Sequence, residues 1–216
     1  MFIKTKKSLG QNFLIDHNAL NQIVETVEIT NKEVLEVGPG SGNLTKYILK
    51  KNPKKMYVIE KDNDLSLLLK EKFNNEITII NKDILSIAEN MISNQKLTVF
   101  GNLPYNISTE ILSKWIINLN KNVWFESLVL MFQKEVADRI IASSNTSKYG
   151  RLSILSSWKL HIKKIADIKP ESFSPRPKID STLLLFTPRK NFFELNNAKN
   201  LEMITRVFFS QRRKML

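Results

Sequence analysis

The strongest constraint on the fold is a glycine turn set between a strand and a helix. Glu33-Val34-Leu35-Glu36-Val37 reads as a β-strand, Gly38-Pro39-Gly40-Ser41-Gly42-Asn43 follows without a break, and Leu44, Ile48 and Leu49 open a helical pattern. Of the chain's 6 glycines, half lie between positions 38 and 42. Glycine has no Cβ, so such a turn lets a ligand come close to the backbone. The spacing is G-x-G-x-G, not the G-x-G-x-x-G of dinucleotide loops, and no third glycine stands where close packing over a pyrophosphate would need it. That spacing favours S-adenosylmethionine over a nicotinamide dinucleotide. A plain strand-to-helix turn without a ligand fits the same residues.

Two acids follow at strand ends. Met56-Tyr57-Val58-Ile59 reads as the second strand and ends in Glu60, about 20 residues past the glycine turn, where an acid can accept both ribose hydroxyls. Asp62 is the better candidate for the cap of a helix over Leu65–Phe73. Ile77-Thr78-Ile79-Ile80 is a third strand, and Asp83 beyond it could accept from an adenine amine. Ser86-Ile87-Ala88-Glu89 has the spacing of a capping box and predicts a short helix.

The fourth strand, Leu97-Thr98-Val99-Phe100, delivers Asn102-Leu103-Pro104-Tyr105-Asn106 to the same sheet edge. An amide, a proline that fixes φ and lacks an N–H, and an aromatic ring thus share one strand-to-helix turn. The combination suits alkylation of a nucleobase amino group. The exocyclic nitrogen of adenine is a poor nucleophile because its lone pair is delocalised into the ring. An amide oxygen and a backbone carbonyl accepting its two N–H bonds would localise that pair, while a ring stacks on the base. A loop with a buried tyrosine is the simpler alternative for an isolated tetrapeptide.

Further along, Ile111, Leu112, Trp115, Ile116 and Leu119 form an apolar helical stripe. Earlier, Leu20, Ile23, Val24 and Val27 predict a helix within residues 17–29. Ser127–Phe132 is a fifth strand, Gln133–Ile141 a covering helix, Tyr149–Ser153 the opening of another helix, residues 159–168 a strand of mixed polarity, and Ser181–Phe186 the last strand. Phe173-Ser174-Pro175-Arg176-Pro177-Lys178 reads as a stiff, basic, extended segment with an exposed aromatic. Pro188-Arg189-Lys190 marks a boundary, and Leu201, Ile204, Val207 and Phe208 follow helix spacing after it.

Charge narrows the partner. The chain of 216 residues carries a net charge of +12, and residues 151–216 hold 14 basic against 5 acidic side chains, whereas residues 1–150 hold 19 against 16. A surplus of that size is self-repelling unless an anion uses it, and nucleic acid is the leading candidate. The absence of cysteine excludes disulfides, zinc–thiolate sites and thiol nucleophiles, and 2 histidines are too few for a histidine metal cluster. No metal site is expected. No apolar run reaches the ~20 residues of a membrane span, and the N-terminus lacks a signal-peptide core. A cytoplasmic, membrane-free, monomeric protein is expected.

At this point the residues resemble a known family. Leu9-Gly10-Gln11-Asn12-Phe13-Leu14, Glu36-Val37-Gly38-Pro39-Gly40, Asn102-Leu103-Pro104-Tyr105, Phe173 through Ser181, and Phe209-Ser210-Gln211-Arg212-Arg213-Lys214 are similar, in order, to the blocks of ribosomal RNA adenine N6,N6-dimethyltransferases of the small-subunit type. The resemblance implies an α/β, class I methyltransferase (Rossmann-like) sheet of seven strands, mostly parallel with the last antiparallel, and S-adenosylmethionine as donor. It implies a methyltransferase domain over residues 1–188 and the start of a small helical C-terminal domain over 189–216, since family members continue beyond the last block. Asn12, Leu14, Gly38, Gly40, Glu60, Asp83 and Asn102 correspond to cofactor-contacting positions. Asn102, Leu103, Tyr105 and Phe173 correspond to catalytic positions, the two aromatics lying around the target adenine. The implied substrate is a pair of neighbouring adenosines in a hairpin loop near the 3′ end of small-subunit rRNA, within a precursor ribosomal particle. Leu103 favours this over the related large-subunit enzymes, which tend to have isoleucine there. A small-molecule methyltransferase would have no use for the basic C-terminal third. A non-catalytic RNA-binding assembly factor would bind donor without transferring its methyl.

Overall fold

A computed structural model describes residues 11–119 and 123–210 of the chain. Leu9 and Gly10 of the first sequence block and Gln211–Lys214 of the last lie outside the described residues. In chain order the elements are β1 (Phe13–Leu14), α1 (His17–Val24), β2 (Glu33–Val37), α2 (Asn43–Leu49), β3 (Lys55–Ile59), α3 (Asn63–Phe73), β4 (Thr78–Ile80), β5 (Leu97–Gly101), α4 (Ser108–Asn118), β6 (Phe125–Gln133), α5 (Lys134–Ile140), α6 (Arg151–Lys159), β7 (Leu160–Ile168), β8 (Phe173–Ser174), β9 (Ser181–Pro188) and α7 (Ala198–Ser210).

Seven strands form one sheet in the order β4-β3-β2-β5-β6-β9-β7. Neighbours from β4 to β6 pair in parallel, and β9 runs antiparallel to both β6 and β7. This is the mostly parallel sheet with an antiparallel last strand that the sequence implied. Helices cover both faces, so the central strands are apolar along their length and not alternating. Leu35, Val99, Leu128 and Phe186 belong to the core on one face, together with Ile111 and Trp115 of α4. Val34, Val58, Phe100 and Val129 belong to the other, together with Leu20 of α1, Ile48 of α2 and Leu69 of α3. The mixed polarity of β7 has a simple cause: it is an edge strand, with an irregularity in register between Lys164 and Ala166.

Caps locate the helix starts. Asp16 accepts from the Ala19 N–H at 2.8 Å and Asp62 from the Asp64 N–H at 3.0 Å, so Asp62 is the cap its position suggested. α1 is shorter than its apolar spacing, closing at Glu25, whose N–H donates to the Asn21 carbonyl; Val27 packs against the core from outside the helix. The capping-box spacing at Ser86–Glu89 starts no α-helix. Asp83 caps instead, accepting from the Leu85 N–H, and the segment makes only two single 3₁₀ turns, at Ile84–Ser86 and Glu89–Met91. The Glu89 carboxylate that would complete the box is engaged from α4, by Lys114 and Trp115.

Beyond Pro188 the chain runs without strand or helix to α7, which lies on α6. Arg151 Nη2 donates to Glu202 Oε1 at 2.6 Å, and Tyr149 meets Phe209 edge to face. Trp158 Nε1 donates to the Phe193 carbonyl.

Gly42 shows how tightly the glycine turn is fitted. Its φ is +76°, and a Cβ there would lie 2.5 Å from Phe73 Cε2 and 2.9 Å from Leu69 Cδ2. The third glycine therefore serves close packing against α3, the helix after the next strand, and not over a phosphate. Gly42→Ala combines left-handed strain with displacement of a buried ring, and should destabilise the protein by ~2–4 kcal/mol. Equilibrium urea unfolding measures it; an unchanged midpoint would mean that α3 does not depend on this glycine.

Candidate functional site

Parallel β2 and β5 are neighbours, with Val37 opposite Gly101. The chain leaves β2 toward β3 on one side, and β5 toward β6 on the other, so the two exits diverge and leave a crevice beyond the strand ends. A cavity of about 310 Å³ occupies it, lined by Gly38, Gly40, Glu60, Asp83, Asn102 and Tyr105 among others.

The floor is the glycine turn. Gly38 and Gly40 have φ of +69° and +57°. The Gly38 N–H donates to the Ile59 carbonyl at 2.9 Å, and the Gly40 N–H to Glu60 Oε2 at 3.2 Å, so the turn after β2 is tied to the end of β3. Glu60 Oε1 accepts from the Asp62 N–H at 2.9 Å. Glu60 is 7% exposed, and burial raises its pKa against the opposing pull of those backbone N–H groups. Two hydroxyl donors from a ligand would compensate that desolvation. Asp83 stands at the next strand's exit. Its Oδ2 accepts from Lys61 Nζ at 2.8 Å and its Oδ1 from the Leu85 N–H, and the Lys61 bond leads in holding the carboxyl below its ordinary range.

A strap from the N-terminal side crosses the cavity. β1 pairs antiparallel with β8, and the Ile15 N–H donates to the Ser172 carbonyl. The Phe13 ring lies against Gly40, where a Cβ would be 2.8 Å from two ring carbons. Asn43 Nδ2 donates to the Leu14 carbonyl at 2.8 Å, and Asn102 Nδ2 to the Asn12 carbonyl at 3.0 Å. Asn12 and Leu14 both line the cavity.

On the far side, the Asn102 carbonyl faces Gly38; a Cβ at Gly38 would be 3.9 Å from it. Because Asn102 uses its NH₂ on Asn12, the amide is assigned with Oδ1 as the end that can accept from a ligand. Leu103 is 1% exposed and packs back onto Gly101. Tyr105 lines the cavity, its hydroxyl 2.6 Å from Ser181 Oγ at the start of β9, and burial raises its pKa.

Phe173 departs from expectation. It is 3% exposed, packed in the core that contains Leu14 and Leu183, and it does not line the cavity. The cause is register: Leu14 opposes Phe173 and Phe13 opposes Ser174, so the pleat turns Phe173 inward and Ser174 outward. The aromatic is not exposed; the basic side chains that follow it, Arg176 and Lys178, are.

One lining residue escaped the sequence reading. Glu36 is 2% exposed inside β2, and its Oε2 accepts from Thr45 Oγ1 at 2.6 Å. Burial, with some help from the Glu60 charge, pushes its pKa up to about 8, so the carboxyl carries a proton at neutral pH and can donate as well as accept. The signal available was a carboxylate within a strand buried on both faces, two residues before a glycine turn. Among the described residues, no three His, Cys, Asp or Glu side chains are placed to hold a metal ion. No helix among them is long and apolar enough to cross a membrane.

The comparisons with known proteins agree with this geometry. A ribosomal RNA small subunit methyltransferase A of Pelagibacter ubique is 75% identical over the whole of this chain and 82% of its own length. A protein of the same name from a Wolbachia of Drosophila simulans is 44% identical over 99% of this chain and 79% of its own. Among solved structures, a dimethyladenosine transferase from Plasmodium falciparum superposes with a TM-score of 0.81 at 29% identity, covering 94% of this chain and 73% of that one. The 23S rRNA methyltransferase ErmE gives 0.72 at 25% identity, covering 93% and 80%. Residues 2–216 match the family described as ribosomal RNA adenine dimethylase, and the chain belongs to that family.

Proposed function

We propose that this chain transfers methyl groups from S-adenosylmethionine to the N6 amino groups of two adjacent adenosines in a hairpin loop near the 3′ end of small-subunit rRNA. The observation that carries the reading is the meeting of two turns at one crevice: Gly38–Gly42, held by Glu60, and Asn102–Tyr105, whose Asn102 carbonyl and Pro104 ring lie against Gly38. Identity of 75% to a small-subunit enzyme, against 25% to ErmE, supports the small-subunit substrate.

The lining fits the donor. Glu60 takes the ribose hydroxyls, Gly38 and Gly40 let the ligand approach the backbone, Asp83 accepts from the adenine amine, and Asn12 and Leu14 close the strap over it. S-adenosylmethionine supplies a methyl already activated on a sulfonium, so the chain's task is positioning and hydrogen bonding. Asn102 Oδ1 and the Leu103 carbonyl accept the two N–H bonds of the target amine and localise its lone pair. Tyr105 supplies a face for the base, and its bond to Ser181 fixes the ring. The proton lost on methylation goes to water.

Energetics favour a loop adenosine. Extruding a stacked, paired base costs a few kcal/mol and less for an unpaired one, while stacking on a ring returns about 1–3 kcal/mol. With Phe173 held in the core, Tyr105 is the ring at hand, and one ring offsets extrusion only for a base that is already unpaired. The exposed Lys178, and Arg176 where it sits paired with Glu171, add to the basic surface.

Glu60→Gln removes the charge and leaves one of the two backbone N–H groups without its acceptor, so donor affinity should fall about ten- to a hundredfold and stability should drop by ~1–3 kcal/mol. Calorimetric titration with wild-type affinity would take Glu60 out of the site. Tyr105→Ala should leave donor binding intact and lower methyl transfer to RNA roughly ten- to a hundredfold, from the lost stacking. Tyr105→Phe, which keeps the ring and loses only the Ser181 bond, should retain most of the rate. Equal activity of wild type and Tyr105→Ala in single-turnover assays would defeat the stacked-adenine reading.

A further inference from the structure

Between β4 and β5 the chain has no α-helix or strand, only the two 3₁₀ turns, yet Lys82, Asp83, Ile84 and Leu85 at its start form a wall of the cavity. Isolated 3₁₀ turns have poor hydrogen-bond geometry and little stability of their own. Something else must hold this wall in place, and α4 supplies it. Lys114 Nζ donates to the Ile84 carbonyl at 2.9 Å, to the Ile87 carbonyl at 2.5 Å and to Glu89 Oε1 at 2.6 Å. An ammonium has three N–H donors, and all of them are spent on this one segment. Glu89 Oε1 also accepts from Trp115 Nε1 at 2.7 Å, and Trp115 is 2% exposed in the core. The Lys114 and Glu89 side chains are themselves only 20% and 8% exposed, a setting in which charge-assisted bonds count for more than at the surface.

The helix that provides these groups starts directly after the Asn102–Tyr105 turn. Ile107 and Ile111 line the same cavity, and Lys114 lies one turn further along α4. One helix thus carries cavity lining at its start and a three-bond hold on the wall beside it. The Lys114 charge also contributes, behind the Lys61 bond and the Leu85 N–H, to keeping the Asp83 carboxyl ionised.

We propose that Lys114, with Glu89 and Trp115, is a positioning residue for the donor: it latches the Asp83–Leu85 wall to α4 and so sets the adenine end of the donor site relative to the acceptor turn. Lys114 touches neither ligand. The assignment rests on the reading of the cavity as the S-adenosylmethionine site with Asp83 at the adenine amine.

The test is calorimetric, on the full chain, with S-adenosylhomocysteine as probe and S-inosylhomocysteine, which carries a carbonyl oxygen in place of the amine, as its partner. In Lys114→Met, affinity for S-adenosylhomocysteine should fall roughly tenfold, the scale of one lost charge-assisted hydrogen bond. RNA affinity should stay near wild type, while the ligand-free melting temperature drops because the Glu89 carboxylate and two carbonyls lose their partner. Glu89→Gln, which keeps shape and loses only charge, should move donor affinity in the same direction by less, and a double variant should lose less than the sum of the two. Unchanged donor affinity in Lys114→Met would overturn the latch. So would a parallel fall of donor affinity, RNA affinity and melting temperature in both variants, which would make the cluster a fold support only. The underlying reading fails separately: if wild type binds the inosyl and adenosyl compounds equally, Asp83 does not read the amine, and the latch is then judged on the Lys114→Met affinity alone.

Discussion

The site depends on one contact, the approach of the Asn102 backbone to Gly38. Parallel pairing of β2 and β5 in register, Val37 against Gly101, brings the two strand exits side by side. A Cβ at position 38 would meet the Asn102 carbonyl and Pro104 at ordinary contact distances of 3.9 and 4.0 Å, so the constraint there is the left-handed backbone conformation, which favours glycine. Gly101 is constrained as well, since a Cβ there would meet Leu103 Cδ2 at 2.9 Å. With both positions glycine, the Gly38–Gly42 turn and the Asn102–Tyr105 turn line one cavity, and the Asn102 amide bonds the strap.

That geometry has an electrostatic cost. Glu36 and Glu60 are both buried: burial, with the Glu60 charge adding to it, pushes Glu36 up to about 8, and burial raises Glu60 as well. The cost is offset locally by Thr45 on Glu36 and by the Gly40 and Asp62 N–H groups on Glu60, the first of which also fixes the glycine turn to the end of β3. The same bonds that make the buried acids tolerable therefore shape the floor. Around the cavity rim similar ties recur: Asn43 to the strap, Asn81 to the Glu60 carbonyl, and Lys114 to the loop beyond Asp83. Each joins segments far apart in sequence, so the cavity is held by side chain to backbone bonds where regular structure ends.

Much of this was legible in the sequence because it is local. The glycine turn, the acid one strand later, the Asp62 cap and the amide turn after the fourth strand are each written within a dozen residues. What was not legible is non-local. Phe173 looked exposed beside two prolines and two cations; its burial follows from pairing with Leu14, about 160 residues earlier in the chain. The Ser86–Glu89 pattern looked like a helix start because nothing nearby shows that Lys114 and Trp115 claim the glutamate. Glu36 was read as an ordinary strand residue because burial on both faces of a strand is decided by which helices cover the sheet.

The account's central claim is that this crevice brings a methyl donor and an adenine amine together. The most direct measurement is incubation of the protein with methyl-labelled S-adenosylmethionine and unmodified small-subunit particles, followed by nucleoside analysis and mapping of the labelled positions. The account predicts N6,N6-dimethyladenosine at a neighbouring pair in one hairpin loop. Donor bound without label reaching RNA, or label on another base or another atom of adenine, would contradict it.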